Sequence, residues 1–396
     1  MKRQPPNTPY SQVSRLKFRV GGEFIDIASK PGLSNWNQFS PAAYLIAEKV
    51  ILPSDGRVLY LGCGNGAAGA IIAKQLTTGY LWLHDISYIA AQMTAETFSI
   101  NQTANAHVLT SINMPAELDN NLDAVIVELP KGRKLAQRWL AHAFKQLKTG
   151  GVLYLSGANR QGIIPVVEDA RTLLGEPIVL GYKKGNRLVR FQKSQQELPV
   201  VGWWQTPGIA PDTWHRFVLQ IQSESIEIFS LPGIFSFDRL DPGTQLLLDS
   251  LPNLRNMNVL DLGCGYGALG LVAARSGAAS VDMVDANLLA VAAAQTNVQR
   301  LGLANARALA SDVLSAVPER KYDLIISNPP FHTGRDVDYQ VAGAFIEQSF
   351  GALETGGQLY CVANRFIRYD KIMELHFRRV ELLVQSPRYH VLCGRK

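Results

Sequence analysis

The chain is 396 residues long, with 47% hydrophobic residues, 18% charged residues and a net charge of +6. That length exceeds one ordinary core and suits two domains; the composition excludes a largely disordered chain, and the lack of any eighteen-residue apolar run argues against a transmembrane helix. The basic balance, 39 Lys and Arg against 33 Asp and Glu, favours a polyanionic partner such as nucleic acid.

The first ten residues, MKRQPPNTPY, are basic but lead into no apolar segment, so no secretory signal is expected. The first helix signal is Ser40-Pro41, an N-cap residue before a proline at the first helical position. RVLYLGCGNGAAG (57–69) then reads as strand, glycine turn and helix. LWLHDIS (81–87) is a strand ending at Asp85, and LDAVIVELPK a strand ending at Glu128 and Pro130. TGGVLYLSGANR (149–160) supplies one more strand. From 196 to 225 prolines and Trp203, Trp204 and Trp214 break the alternation. This segment reads as an interdomain connection, with the tryptophans as interface packing.

About 200 residues on, everything recurs in the same order. Asp241-Pro242 repeats the helix start, NVLDLGCGYGALG (258–270) the glycine turn, and VDMVDAN (281–287) the strand ending in an acid. YDLIISNPPF then answers LDAVIVELPK, and TGGQLYCVANR (355–365) answers TGGVLYLSGANR. Apolar strands separated by helices imply a parallel sheet covered on both faces, and ligands of such sheets bind at the carboxyl ends of the strands. Two copies of one α/β fold are therefore expected: residues 1–195, the connection 196–225, and residues 226–396.

The second copy carries the chemistry. Its turn places Asp261 before Gly263, Gly265 and Gly267; Asp285, with Ala286, ends the next strand; Asp312, with Val313, follows the third. Glycines allow positive φ and close approach of a ligand, and an acid ending the second strand suits a ribose diol. Asp312 suits an adenine amino group and Asp261 a ligand ammonium. Three acids around one turn are a poor cradle for pyrophosphate and a good one for cationic S-adenosylmethionine. Asn328, Pro329, Pro330 and Phe331 form the other site, with Asn328 also expected to border the cofactor. The Asn328 amide oxygen and the Pro329 carbonyl can both accept from the protons of an exocyclic amine. The prolines hold that turn rigid, and Phe331 offers a flat wall for a base. His332 can reach a substrate or serve structure alone.

These residues resemble the class I S-adenosylmethionine-dependent methyltransferases, and SNPPFH resembles the (Asn/Asp)-Pro-Pro-(Tyr/Phe/Trp) signature of those that methylate amines. The family resemblance implies a Rossmann-like, mostly parallel seven-stranded sheet in each copy. With GIFSFDRLDPGTQLLLDSLP (233–252), DLGCGYGALGL, GGQLYCVANRFIRY (356–369) and, in the first half, ELPK (128–131) and YKKGNRL, the whole chain is similar to the tandem ribosomal RNA guanine-N2-methyltransferases of the small-subunit methyltransferase C and large-subunit methyltransferase G type. That likeness implies N2-methylation of a guanine in ribosomal RNA, in 16S rather than 23S, on a ribosomal subunit or assembly intermediate. Adenine N6 and a protein glutamine remain open as acceptors, and so does a non-catalytic ribosome-assembly factor.

The first copy keeps Gly62, Gly64, Gly66 and Asp85. It has Tyr60 in place of Asp261, Ile112 in place of Asp312, and Glu128-Leu129-Pro130-Lys131 in place of Asn-Pro-Pro-Phe. It is expected to be non-catalytic and to serve structure or RNA placement. Lys131, Arg133, Lys134, Arg138, the YKKGNR segment (182–187) and Arg365, Arg368, Lys371, Arg378 and Arg379 are either phosphate contacts or a solvated face. The four cysteines, at 63, 264, 361 and 393, lack metal-ligand spacing, so no metal and reduced thiols are expected. A cytoplasmic monomer is the resulting expectation.

Overall fold

The computed structural model describes residues 8–195, 197, 202–221, 224–329 and 339–396. The chain divides into two compact units, Met1–Trp214 and His215–Lys396.

Unit 1 begins with a hairpin, β1 (Ser14–Val20) and β2 (Glu23–Ser29). Gly21 and Gly22 take φ of +58° and +90° at its turn, as a tight two-residue connection requires. There follow α1 (Pro41–Lys49), β3 (Arg57–Leu61), α2 (Ala67–Gln75), β4 (Tyr80–His84), α3 (Tyr88–Ile100), β5 (Ala106–Leu109), β6 (Leu122–Glu128), α4 (Arg133–Gln146), β7 (Leu147–Ala158), α5 (Ile163–Leu174), β8 (Ile178–Lys183) and β9 (Asn186–Gln192). The strands form one seven-stranded sheet in the order β5-β4-β3-β6-β7-β9-β8. All run parallel except β9, which is antiparallel to both its neighbours.

Unit 2 repeats this plan. The hairpin β10 (His215–Ile221) and β11 (Glu224–Ser230) precedes α6 (Pro242–Leu248), β12 (Asn258–Leu262), α7 (Ala268–Arg275), β13 (Ser280–Asp285), α8 (Leu288–Arg300), β14 (Ala306–Ala310), β15 (Tyr322–Ser327), α9 (Tyr339–Ala352), β16 (Leu353–Asn364), α10 (Tyr369–Met373), β17 (Arg379–Gln385) and β18 (Tyr389–Arg395). The sheet order is β14-β13-β12-β15-β16-β18-β17, again with one strand, β18, antiparallel to both its neighbours. Central strands β12 and β15 are buried along nearly their whole length, as a sheet covered on both faces demands.

The strand order reverses between β12 and β15, so the crevice outside their carboxyl ends is where a ligand belongs. Ser327 Oγ donates to the Leu262 carbonyl at 2.7 Å and ties those two ends together. The repeated Asp123 and Asp323 do different work. Each accepts from the first backbone N–H of the neighbouring strand, Arg57 at 2.7 Å and Asn258 at 2.8 Å, at the opposite end of the sheet.

The stretch 196–225 is not one connection. Its described residues up to Trp214 belong to unit 1, and His215–Ile221 is a strand of unit 2. The first two tryptophans of this stretch pack within unit 1. Trp203 Nε1 donates to Thr172 Oγ1 at 3.1 Å, and Trp204 is buried edge-on against Trp203, both within unit 1. Among the described residues no helix is long and apolar enough to cross a membrane.

Candidate active site

The glycine turn of unit 2 links β12 to α7. Gly263, Gly265 and Gly267 have φ of +76°, +57° and +97°, conformations that side chains resist. Gly267 lies at the N-cap of α7, where a Cβ would meet Met283 Sδ at 3.2 Å. Among the described residues a Cβ at Gly265 would find only Ile234, at 3.8 Å. One glycine permits helix against strand; the other keeps a face of the turn open for a ligand.

Asp285 fastens this turn. Its Oδ2 accepts from Gly265 N at 2.8 Å and its Oδ1 from Asn287 N at 2.8 Å. A carboxylate offers about four lone-pair sites, and one left over from the backbone donors can accept from a ribose hydroxyl. Burial raises the pKa of this carboxyl against the backbone donors of Asn287, Gly265 and Ala286. Asn287, the N-cap of α8, reaches back with Nδ2 to the Gly233 carbonyl at 2.8 Å and anchors the segment before α6.

Asp261 sits deeper. It is fully buried, its Oδ2 accepts from Gly270 N at 2.8 Å, and its Oδ1 has no partner among the described residues. Burial, with a smaller contribution from Asp285, lifts its pKa to about 7 against the Gly270 bond. An orphaned buried carboxylate oxygen beside a second acid is the electrostatic setting a cationic ligand relieves.

The third acidic turn is strained. Val313 adopts φ +52°, which a β-branched residue rarely does. Buried Ser311 braces it, donating to the Val313 carbonyl at 2.8 Å and accepting from Ala316 N at 3.1 Å. Asp312, half-buried, follows β14 on this turn, its backbone N–H bound to Ser315 Oγ at 2.9 Å.

Asn328 follows β15 across the switch point. Its Nδ2 donates to Asp241 Oδ2 at 3.2 Å and to Thr244 Oγ1 at 2.8 Å. A carboxylate can only accept, so the amide nitrogen must face Asp241. The amide oxygen therefore faces away, and it has no partner among the described residues. Asp241 is also the N-cap of α6, accepting from Thr244 N at 3.0 Å. Pro329 is buried directly behind. Pro330, Phe331 and His332 lie outside the described residues. Asp241 and Thr244 hold the Asn328 amide, and the sequence shows them only as a helix cap and its first turn.

Unit 1 builds the same frame and closes it. Gly64 N and Ser87 N bind the two oxygens of Asp85 at 3.0 and 2.9 Å, as in unit 2. At the position of Asn328, however, both Glu128 oxygens are occupied, by Ser40 Oγ at 2.8 Å and Tyr60 Oη at 3.0 Å. Burial pushes Glu128 up to about 7 in spite of those two donors. Two of the basic residues behind it are also engaged internally. Arg133 forms a two-pronged pair with Asp169, and buried Arg138 donates to the Gly208 carbonyl at 2.7 Å. Neither is a free phosphate contact.

The chain matches the methyltransferase small domain family twice, over residues 24–174 and 225–393, one match in each unit. It belongs to that family. Among its methyltransferase relatives, the ribosomal RNA small subunit methyltransferase C of Hahella chejuensis is 32% identical over 85% of this chain and 93% of its own length. That of Psychromonas ingrahamii is 33% identical over 69% and 76%. The solved T. thermophilus 16S rRNA N2 G1207 methyltransferase (RsmC), in complex with AdoMet and guanosine, superposes with a TM-score of 0.81 at 30% identity over 98% of both chains. The protein is thus an S-adenosylmethionine-dependent methyltransferase with tandem Rossmann-like domains. The open face at Gly265, the anchored Asp285 and the orphaned Asp261 oxygen fit that cofactor. The four cysteines are unpaired and buried, and among the described residues no three His, Cys, Asp or Glu side chains converge as a metal centre would need.

Proposed function

We propose that unit 2 methylates the exocyclic N2 amine of a guanine in 16S ribosomal RNA by direct transfer, with unit 1 as a non-catalytic partner that helps place the RNA. The observation that carries this reading is the fixed orientation of the Asn328 amide, nitrogen held by Asp241 and Thr244, oxygen unpartnered among the described residues. When bound, S-adenosylmethionine supplies an electrophilic methyl group. The chain's task is then to hold a weak nucleophile. A guanine amine shares its lone pair with the ring, and two acceptors on its protons draw the nitrogen toward a tetrahedral shape. Asn328 Oδ1 and the Pro329 carbonyl take those roles, set before substrate arrives, so little reorganisation accompanies the reaction. Pro330 stiffens the turn and Phe331 stacks on the base.

In the cofactor site Asp285 and Ala286 take the ribose, Asp312 and Val313 the adenine, and Gly263, Gly265 and Gly267 let the ligand lie close. Asp261 acts from beneath, holding the first turn of α7 and contributing negative potential. The guanosine-bound state of one relative and the small-subunit names of the others support the choice of acceptor, and the net charge of +6 suits a polyanionic substrate. Unit 1 is assigned no catalysis because both acceptor oxygens of Glu128 are already engaged. The test is transfer of labelled methyl to unmodified small ribosomal subunits, followed by mass spectrometry of the RNA. Label on 23S RNA, on adenine or on protein would overturn the assignment.

A further inference from the structure

Beside the acceptor clamp, unit 2 carries an open cavity of about 330 Å³ between α6 and the β17–β18 turn. One wall is the outward face of α6, Pro242, Gln245, Leu246 and Asp249, spaced as neighbours on one helix side. The other is the turn from Ser386 to Tyr389. That turn is preformed: Ser386 N donates to the Tyr389 carbonyl at 2.8 Å, and Tyr389 N to Ser386 Oγ at 3.0 Å. Gly243 lets the Tyr389 ring lie on the start of α6, since a Cβ there would stand 3.0 Å from the ring.

We propose that this groove takes the nucleobase next to the target guanine in the RNA strand, an inference that rests on the RNA reading above. Three observations point to a base. The groove adjoins the clamp, because a Cβ on Gly243 would meet both the Tyr389 ring of the groove and Asp241 Oδ2, the oxygen that holds the Asn328 amide. Its lining suits a planar heterocycle whose backbone carries charge: Tyr389 and two prolines for the ring, and exposed Arg388 for the adjoining phosphate. Gln245 Nε2 is bound to Asp249 Oδ1 at 2.8 Å, which leaves the Gln245 oxygen as the acceptor for a base edge. Unit 1 gives the internal comparison. There α1 carries Tyr44 at the position of Gln245, and Lys183, the last residue of β8, sets its ammonium 3.1 Å from the centre of that ring. The groove is open beside the available clamp and filled beside the occupied one.

The test measures binding of guanosine, GpA and ApG to the full chain saturated with S-adenosylhomocysteine. At least one dinucleotide should bind about tenfold tighter than guanosine, within the range that stacking one base supplies. Leu246→Trp, which fills the groove, and Tyr389→Ala should both return that dinucleotide to guanosine's affinity, while Tyr389→Phe keeps the gain. Dinucleotides no tighter than guanosine, or a gain that survives Leu246→Trp, would overturn the groove and leave the guanine reading standing. Failure of guanosine itself to bind, with no methylation of small subunits, would overturn both.

Discussion

Replacing Asn328 with aspartate tests the clamp more sharply than deleting it. The new carboxylate would take the amide's place, with one oxygen about where Nδ2 now lies 3.2 Å from Asp241 Oδ2. Two charges at that separation repel by between about 1 kcal/mol in a water-like medium and about 5 kcal/mol at the effective dielectric of a protein surface. The pair therefore keeps one proton, and its pKa rises from near 4 to about 5 to 8. Below that value the pair mimics the native clamp: the introduced side chain, protonated, donates its O–H to Asp241 and leaves its carbonyl oxygen to the amine. Above it, the two carboxylates push apart and the geometry is lost. Single-turnover methyl transfer by Asn328→Asp, measured from pH 5 to 9, should fall as pH rises through this value while the wild type shows no such fall. Stability should follow the same sign, because a folded-state pKa raised above the unfolded one stabilises at low pH and is lost as pH climbs through it. A variant with the wild-type pH profile, or one inactive throughout, would refute the proposed orientation of Asn328.

Three further outcomes are expected. Asn328→Ala removes one acceptor and should slow single-turnover transfer at saturating cofactor by ~10² to 10³. Asp285→Ala releases Gly265 N and Asn287 N as well as the ribose; cofactor affinity should drop on the order of ten- to a hundredfold, as for loss of a charged hydrogen bond, and isothermal titration reads it directly. Glu128, lifted to about 7 by burial, stabilises unit 1 in its protonated form. That contribution, at most about 3 kcal/mol, should be present below the ordinary glutamate pKa and vanish as pH rises through about 7. Chemical denaturation of Glu128→Gln should show that slope gone.

Much of this is legible in the sequence because it is local. The glycine turns, the acids ending β4 and β13, and the caps at Ser40 and Asp241 are all written within a few residues, and duplication prints them twice. The hairpin before the first sheet has a local signal too, lying outside the alternation of strand and helix: KFRVGGEFID alternates around a Gly-Gly pair. What the sequence does not display is the second job of Asp241. Its bond to Asn328 joins residues 87 apart, and only the sheet brings α6 to the end of β15. The basic residues after β6 mislead for a similar reason. Charge alone cannot reveal that Arg133 meets Asp169 on α5, or that Arg138 is buried against a backbone carbonyl.

The ring of contacts around Glu128 has an evolutionary corollary. Once Tyr60 and Ser40 came to lean on that carboxylate, the position ceased to be a vacancy and became a keystone. Reverting it alone to asparagine would leave the Tyr60 phenol with a poorer acceptor inside a fully buried site and would restore neither the second proline nor the aromatic wall. On the proposed reading unit 1 is kept from catalysis by these contacts, and no single substitution would rebuild the clamp there.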